Sequence, residues 1–248
     1  MGGGGVYQAG TRRAGIKAAI MKKLVVLSGA GMSAESGLRT FREMGGLWEE
    51  YDVYEVASPG GWQKDMALVL RFYNERRKQL LESLPNAGHL GLVELEKYFD
   101  VWIVTQNIDD LHERAGSSRI LHLHGEIRKS RSTADPGLIY DIDGWKLEEG
   151  DLCEKGSQLR PHVVWFGEAV PAIEEAARVV SSADIFVIIG TSMNVYPAAG
   201  LINYVPEAAP IYVIDPNEVS IAGHPRIRII QLSAGEGIQQ LMEELRNA

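Results

Sequence analysis

The chain has one cysteine in 248 residues, Cys153. A single thiol excludes an internal disulfide framework and suits a reducing compartment. No apolar run approaches the roughly 18 residues that a membrane-spanning helix needs. Basic side chains are also scarce, 25 against 33 acidic ones, and the net charge of -8 removes any general affinity for phosphate backbones. Neither nucleic acid nor a membrane is therefore an expected partner, although a basic peptide is compatible with this charge. Internal repeats and low-complexity segments are missing past residue 20. The first twenty residues, "MGGGGVYQAGTRRAGIKAAI", are glycine-rich and have no signal-peptide core. They read as a flexible extension, a tag or a misassigned start, with Met21 as the natural beginning.

With 45% apolar and 23% charged residues, the remainder can bury a full core. Short apolar runs at Leu24–Leu27, Val101–Thr105, Ile185–Ile189 and Ile211–Ile214 suit parallel strands covered on both faces. Helical patterns at Ala87–Tyr98, Pro171–Ser181 and Gly237–Arg246 alternate with them. The fold expected is α/β, a Rossmann-like doubly wound parallel sheet. Two stretches break its rhythm: residues 42–84, helical without a strand, and residues 126–159, polar and turn-rich. They are expected to form a second, smaller lobe by insertion, leaving 21–41, 85–125 and 160–248 to the main lobe.

"GAGMSAESG" comes directly after the first apolar run. Gly29 and Gly31 there allow either the close approach of a pyrophosphate or the packing of a helix on the sheet. A dinucleotide-binding dehydrogenase would also place an acidic residue at the end of a second strand about 20 positions on. The segment "GGLWEEYDVYEVASPGGW" does not read as that strand, so such an enzyme is disfavoured. Other strand ends carry polar groups: Gln106, Asn107 and Asp109; Gly190, Thr191 and Ser192; Asp215 and Asn217. Turns use the same residue types, but ligands of open α/β sheets bind at this edge. In "LHLHGEI", His122 and His124 share one face in extended geometry, each either a catalytic base or a satisfied structural ring. Gly125 suggests a turn just after them.

Taken in order, "GAGMSAESGLRTFR", "TQNIDDLHERAGS", "LHLHG", "RPHVVWFGE", "GTSMNVYPAAG" and "DPN" resemble the sirtuin family, NAD-dependent protein-lysine deacylases, of the bacterial type. The resemblance runs from about Met21 to the C-terminus. It implies NAD+ as co-substrate, acyl-lysine proteins or peptides as partners, and nicotinamide, free lysine and O-acyl-ADP-ribose as products. Gly29, Ala30, Gly31, Ser33, Phe41 and Arg42 would then line the cofactor loop, with Gln106, Asn107, Ile108, Asp109, Gly190, Thr191, Ser192 and Asn217 holding the rest of the dinucleotide. His124, Asn107 and Asp109 would carry catalysis, His124 as general base. Val163, Val164, Phe166, Gly167 and Glu168 would offer an extended peptide a strand edge, unless that segment is an internal strand.

On the helix "MALVLRFYNERRKQLLESL", Arg76 falls on the apolar stripe of Met66, Val69, Leu70, Tyr73, Leu80 and Leu81. Such an arginine either snorkels to solvent or awaits an anion. Within the family, Tyr73 and Arg76 resemble a pair that accepts acidic acyl groups such as succinyl or malonyl. One departure is large, because many sirtuins bind a structural zinc through two cysteine pairs and this chain has Cys153 alone. No structural zinc is expected, and packing of Leu138, Ile139, Tyr140, Ile142, Trp145 and Leu147 is expected to replace it. Arg39 stands where many relatives have proline. The reading is thus an active deacylase, cytoplasmic and monomeric. An idle NAD+ or ADP-ribose sensor and a protein ADP-ribosyltransferase are the alternatives.

Overall fold

The computed structural model describes residues 21–38, 52–219 and 226–246. A six-stranded parallel sheet runs in the order β3-β2-β1-β7-β8-β9, built from β1 (Lys23–Ser28), β2 (Asp100–Thr105), β3 (Ile120–His122), β7 (Ile185–Ile189), β8 (Ile211–Ile214) and β9 (Ile227–Ile230). The continuous apolar runs are explained by burial on both faces. Leu24 and Val26 point into one core with Val187 and Ile189, while Val25 and Leu27 point into the other with Phe186 and Ile188. Side chains alternate across a strand, so each run feeds both layers. Fully burying one such side chain contributes roughly 1.5–3 kcal/mol.

Helices α4 (Ala87–Leu95) and α7 (Ala234–Arg246) cover one face, and α6 (Ile173–Val180) with a 3-10 helix, Ala198–Tyr204, covers the other. Asn86 begins α4 by accepting from the main-chain N–H groups of Gly88 and His89, and it donates through Nδ2 to the Met32 carbonyl. Capping therefore also ties α4 to the loop after β1. Helix bounds differ from the sequence pattern by a few residues, as frayed ends do. Strand β9 was not expected at all: "IRII" is short, carries Arg228, and lies at the sheet edge with Ile229 half-exposed.

The described part of the first insertion forms α1 (Val53–Val56), α2 (Pro59–Lys64) and α3 (Met66–Glu82). Asp52, Ser58 and Asp65 each accept from a first-turn N–H, which breaks the segment into three helices. The second insertion is more ordered than its polarity implied. Its antiparallel sheet, in the order β5-β4-β6, is built from β4 (Gly125–Ser132), β5 (Ile139–Asp141) and β6 (Leu159–Val163), so it runs past the expected boundary at 159, because β6 pairs along β4 as far as Val163.

Of the residues expected to pack this lobe, Ile142 and Leu147 are buried, against Leu70, Trp62, Met66 and Leu159. Ile139 is exposed, because it alternates onto the outer face of β5. The buried face of α3 is also shifted: Phe72 and Arg77 lie inside and Leu81 outside. Arg77 is fully buried and donates to the carbonyls of Ile127 and Trp145 and to Asn74 Oδ1. Cys153 is buried, its thiol donating to Ser132 Oγ at 3.3 Å.

Candidate functional site

Strand order reverses between β1 and β7, and their C-terminal ends open the crevice in which ligands of such sheets bind. The glycine loop lies at this point, and the closest approach to it is made by another loop of the chain. Gly29 donates to the Ile189 carbonyl at 3.0 Å and Gly31 to the Gly190 carbonyl at 2.9 Å. A Cβ on Gly31 would stand 2.8 Å from Gly190 Cα, and one on Gly190, whose φ is +62°, would stand 2.2 Å from Met32 N. Glycine is thus required for two main chains to touch. The chain continues from Gly29 as a seven-residue 3-10 helix, Ala30–Ser36, rather than an α-helix. Phe41 and Arg42, like Arg39, lie outside the described residues.

From the 3-10 helix, Ser33 reaches the loop after β2. Its Oγ accepts from Asn107 Nδ2 at 3.1 Å and donates to Asp109 Oδ2 at 2.9 Å, so one hydroxyl joins both side chains. All three are buried. Burial pushes the Asp109 carboxyl above the usual carboxylate range, against the pull of the Leu111 N–H and the Ser33 hydroxyl. Beneath them, Ser28 Oγ donates to Thr105 Oγ1 at 2.9 Å, and Thr105 Oγ1 accepts the Asn107 N–H at 3.0 Å. Ser28 meets His112 Nε2 at 3.1 Å, from helix α5 (Leu111–Ala115). Burial first, then His89 and His122, hold His112 neutral. Sequence reasoning missed Ser28 and Thr105, because one polar residue at the end of an apolar run is indistinguishable from the start of a turn, and His112, because the polar sequence of its short helix does not show which strand end it faces.

Gln106 Nε2 donates to Thr191 Oγ1 at 3.1 Å, closing the loops after β2 and β7 against each other. Asn217 is exposed beyond β8, its N–H and Nδ2 both on Asp215 Oδ1. The donor and acceptor set suits a dinucleotide. A buried carboxylate with a raised pKa can accept from ribose hydroxyls or a carboxamide, and amide and hydroxyl groups line the strand ends.

The two histidines do share one face, turned toward this loop. His124 Nδ1 lies 3.0 Å from the Gln106 carbonyl, and His122 Nδ1 lies 3.0 Å from the Asn107 carbonyl. Burial lowers the His124 pKa, opposed by the Gln106 carbonyl. Its Nδ1 must donate to that carbonyl, so Nε2 is the atom left to take up a proton. Gly125 comes next with φ of +82°, and its missing Cβ would lie 2.1 Å from the His162 carbonyl.

Val163 ends β6 and is buried, Val164 and Trp165 continue outside any strand, and the chain turns over residues 166–168. Val164 N–H donates to the His124 carbonyl and Phe166 N–H to the Ala57 carbonyl, which binds the segment to both lobes. Phe166 is 45% exposed and Gly167 is open. Glu168 has an internal use: it accepts from Arg160, Arg131 and the Trp165 N–H. Trp165, which the sequence reading did not single out, is buried, stacks under the Arg160 guanidinium at 3.2 Å, and donates through Nε1 to Tyr73 Oη at 3.0 Å. Burial pushes the Tyr73 hydroxyl up to about 12. Arg76, one turn on, lies 5.4 Å from the Phe72 ring centre; burial lowers its pKa and the nearby Tyr73 and Asp109 raise it.

Among the described residues, one cluster has metal-ligand spacing: Glu113, His122 and Glu126. His122 and Glu113 are in direct contact at 2.7 Å, and Cys153, bonded to Ser132, is not in the cluster. A zinc site built from four thiolates needs four sulfurs, and the chain has one cysteine.

Comparison with known proteins points one way. The model of the Sir2 family matches residues 29–197. An NAD-dependent protein deacylase of Bacteroides thetaiotaomicron is 58% identical over 230 residues, covering 91% of this chain and 98% of that protein. One from Helicobacter pylori is 54% identical over 227 residues, with 91% and 98% covered. A solved complex of a Sir2 homologue with NAD superposes with a TM-score of 0.82 at 38% identity, covering 92% of this chain and 90% of that one.

Proposed function

The chain belongs to the Sir2 family as an NAD-dependent protein deacylase, and we propose a division of labour among its residues and a preference for acidic acyl groups. NAD+ supplies, when bound, a ribose carbon that departure of nicotinamide opens to an acyl oxygen. Asn107 and Asp109, joined through Ser33, orient the ribose and the carboxamide beside it. His124 takes a proton at Nε2 from a ribose hydroxyl, a task for which its neutral ring is suited. Gly29, Ala30, Gly31, Gln106, Ile108, Gly190, Thr191, Ser192 and Asn217 complete the cradle. The observation that carries this reading is His124: one nitrogen is bound by the carbonyl of Gln106, so the other is the base, at the edge where the strand order reverses.

The acyl end is read by Tyr73 and Arg76. A guanidinium within the field of Asp109 and one helical turn from a tyrosine offers a carboxylate a charge-assisted bond. Trp165 occupies the Tyr73 oxygen as an acceptor, so the phenolic hydrogen remains to donate. Succinyl and malonyl lysines therefore outcompete acetyl lysine. Val164, Phe166 and Gly167 lie where an extended peptide would pass, whereas Glu168 holds that segment in shape.

The test is nicotinamide release with matched acetyl and succinyl peptides, using the native protein, His124→Ala and Arg76→Met. Release should depend on peptide and vanish without His124, and Arg76→Met should abolish the succinyl preference while sparing acetyl turnover. NAD+ binding without release from any acyl peptide would favour a sensor instead.

A further inference from the structure

The loop that carries Asn107 and Asp109 is pinned by three successive carbonyls. Gln106 O meets His124 Nδ1, Asn107 O meets His122 Nδ1, and Ile108 O accepts the Ile127 N–H at 2.8 Å. All three partners come from the segment running from β3 into β4, so the two histidines of "LHLHG" do parallel work on adjacent peptide units. They differ in what the second ring nitrogen meets. His122 Nε2 lies 2.7 Å from Glu113 Oε1, from α5, while the ring of His124 has, among the described residues, the Gln106 carbonyl as its one hydrogen-bond partner.

That difference dictates charge. A carbonyl has no proton to give, and the Glu113 carboxyl is held below its usual range: burial works against this, and the His122 hydrogen bond and charge outweigh it. Both nitrogens of His122 must then donate, which only the imidazolium can do. Among the charged groups facing the ring, the carboxylates outnumber the one opposing cation. Glu113 and Glu126 favour its charge, and Asp109 lies within its field; Lys129, which opposes it, is itself paired with Glu126 at 2.9 Å, and His112 is neutral. Burial opposes the charge on His122, and Glu113 overcomes it.

We infer that His122 is a positioning residue, an imidazolium that Glu113 keeps charged so that it holds the Asn107 carbonyl and thereby the catalytic loop, while His124 stays neutral to act as base. The inference rests on the roles proposed above for Asn107 and His124. A doubly donating His122 cannot itself be the base. The hold is complete below the elevated pKa of His122 and is lost as the pH rises through it, when one of its two bonds loses its proton.

The experiment pairs histidine NMR with kinetics on the full chain. In protein carrying isotope-labelled histidine, the resonance absent from His122→Gln should show both nitrogens protonated at neutral pH and titrate above free imidazole. Glu113→Gln, at a surface position that leaves the fold intact, should move that titration to lower pH. The alkaline limb of kcat for nicotinamide release should move with it, with KM for the peptide unchanged. His122→Gln should lower kcat about ten-fold, the worth of one hydrogen bond to a charged group, and lack that limb. A neutral His122 at neutral pH, or a titration that moves in Glu113→Gln while the limb stays, would overturn the inference. Full activity in His124→Ala would instead remove the reading on which it stands, whatever the resonance of His122 does.

Discussion

Arg77, rather than a metal, is expected to hold the first insertion onto the small sheet. Its guanidinium bridges α3 to β4 through the Ile127 carbonyl at 2.6 Å and to the loop after β5 through the Trp145 carbonyl at 2.7 Å, with Asn74 Oδ1 at 2.8 Å. Arg77→Met keeps the aliphatic stem and removes all three donors. Asn74 Oδ1 retains the Leu147 N–H, so the buried Ile127 carbonyl and the part-buried Trp145 carbonyl lose their partner. At about 1–3 kcal/mol for the unpaired buried acceptor and about 0.5–1.5 kcal/mol for the one nearer water, the loss is about 2–5 kcal/mol. Part of this returns, because burial, and secondarily Arg128, pushes the guanidinium down to about 10, so the charge is itself disfavoured. The expected net cost is about 2–4 kcal/mol, with Arg77→Ala roughly 1 kcal/mol worse through the cavity it leaves. Urea unfolding monitored by circular dichroism and tryptophan fluorescence measures it, as a shifted midpoint at constant slope. Exposed Glu75 on the same helix serves as control, since Glu75→Ala should stay within about 0.5 kcal/mol of the native protein. If Arg77→Met stays in that range too, the bridge does not hold the lobe and the reasoning fails.

Gly190→Ala should destabilise by about 2 kcal/mol or more, from its left-handed φ and the contact with Met32 N, and should weaken NAD+ binding in calorimetry. Ser33→Ala breaks the link between Asn107 and Asp109 and leaves both buried groups without that partner, so it should lower kcat about ten-fold and also lower the melting temperature; an unchanged kcat would show that the link is not used. Since burial lowers the His124 pKa, the acid limb of kcat/KM should lie below the 6.5 of an ordinary imidazole, the base remaining neutral further into acid, and a limb above it would contradict the assignment. Treatment with a strong zinc chelator should leave both activity and melting temperature unchanged, because the small lobe offers one thiolate where a structural site needs four.

Local pattern carried the main sheet. Runs such as Leu24–Leu27 and Ile185–Ile189 are continuous because both faces of a parallel strand are covered, and that requirement is written residue by residue. The motif order likewise placed Asn107, Asp109, Gly190 and Thr191 at strand ends before any contact was known. Where the signal was short or mixed, it failed: β9 is four residues with Arg228 among them at an edge, and the antiparallel sheet of the second insertion is too polar and interrupted to announce itself.

The composition and motifs by themselves determined that this is a doubly wound α/β chain whose polar strand ends form a nucleotide-binding edge. Only the tertiary structure decided what Gly31 approaches, since the main chain of Gly190 lies far along the sequence. It also decided how two adjacent arginines are used, because periodicity put Arg76 on the apolar stripe while packing against β4 took Arg77 fully inside, onto the Ile127 carbonyl. And it separated His122 from His124, two rings alike in sequence and in face. Their charge is set by a carboxylate that α5 brings back across the loop, and no pattern local to either histidine contains that information.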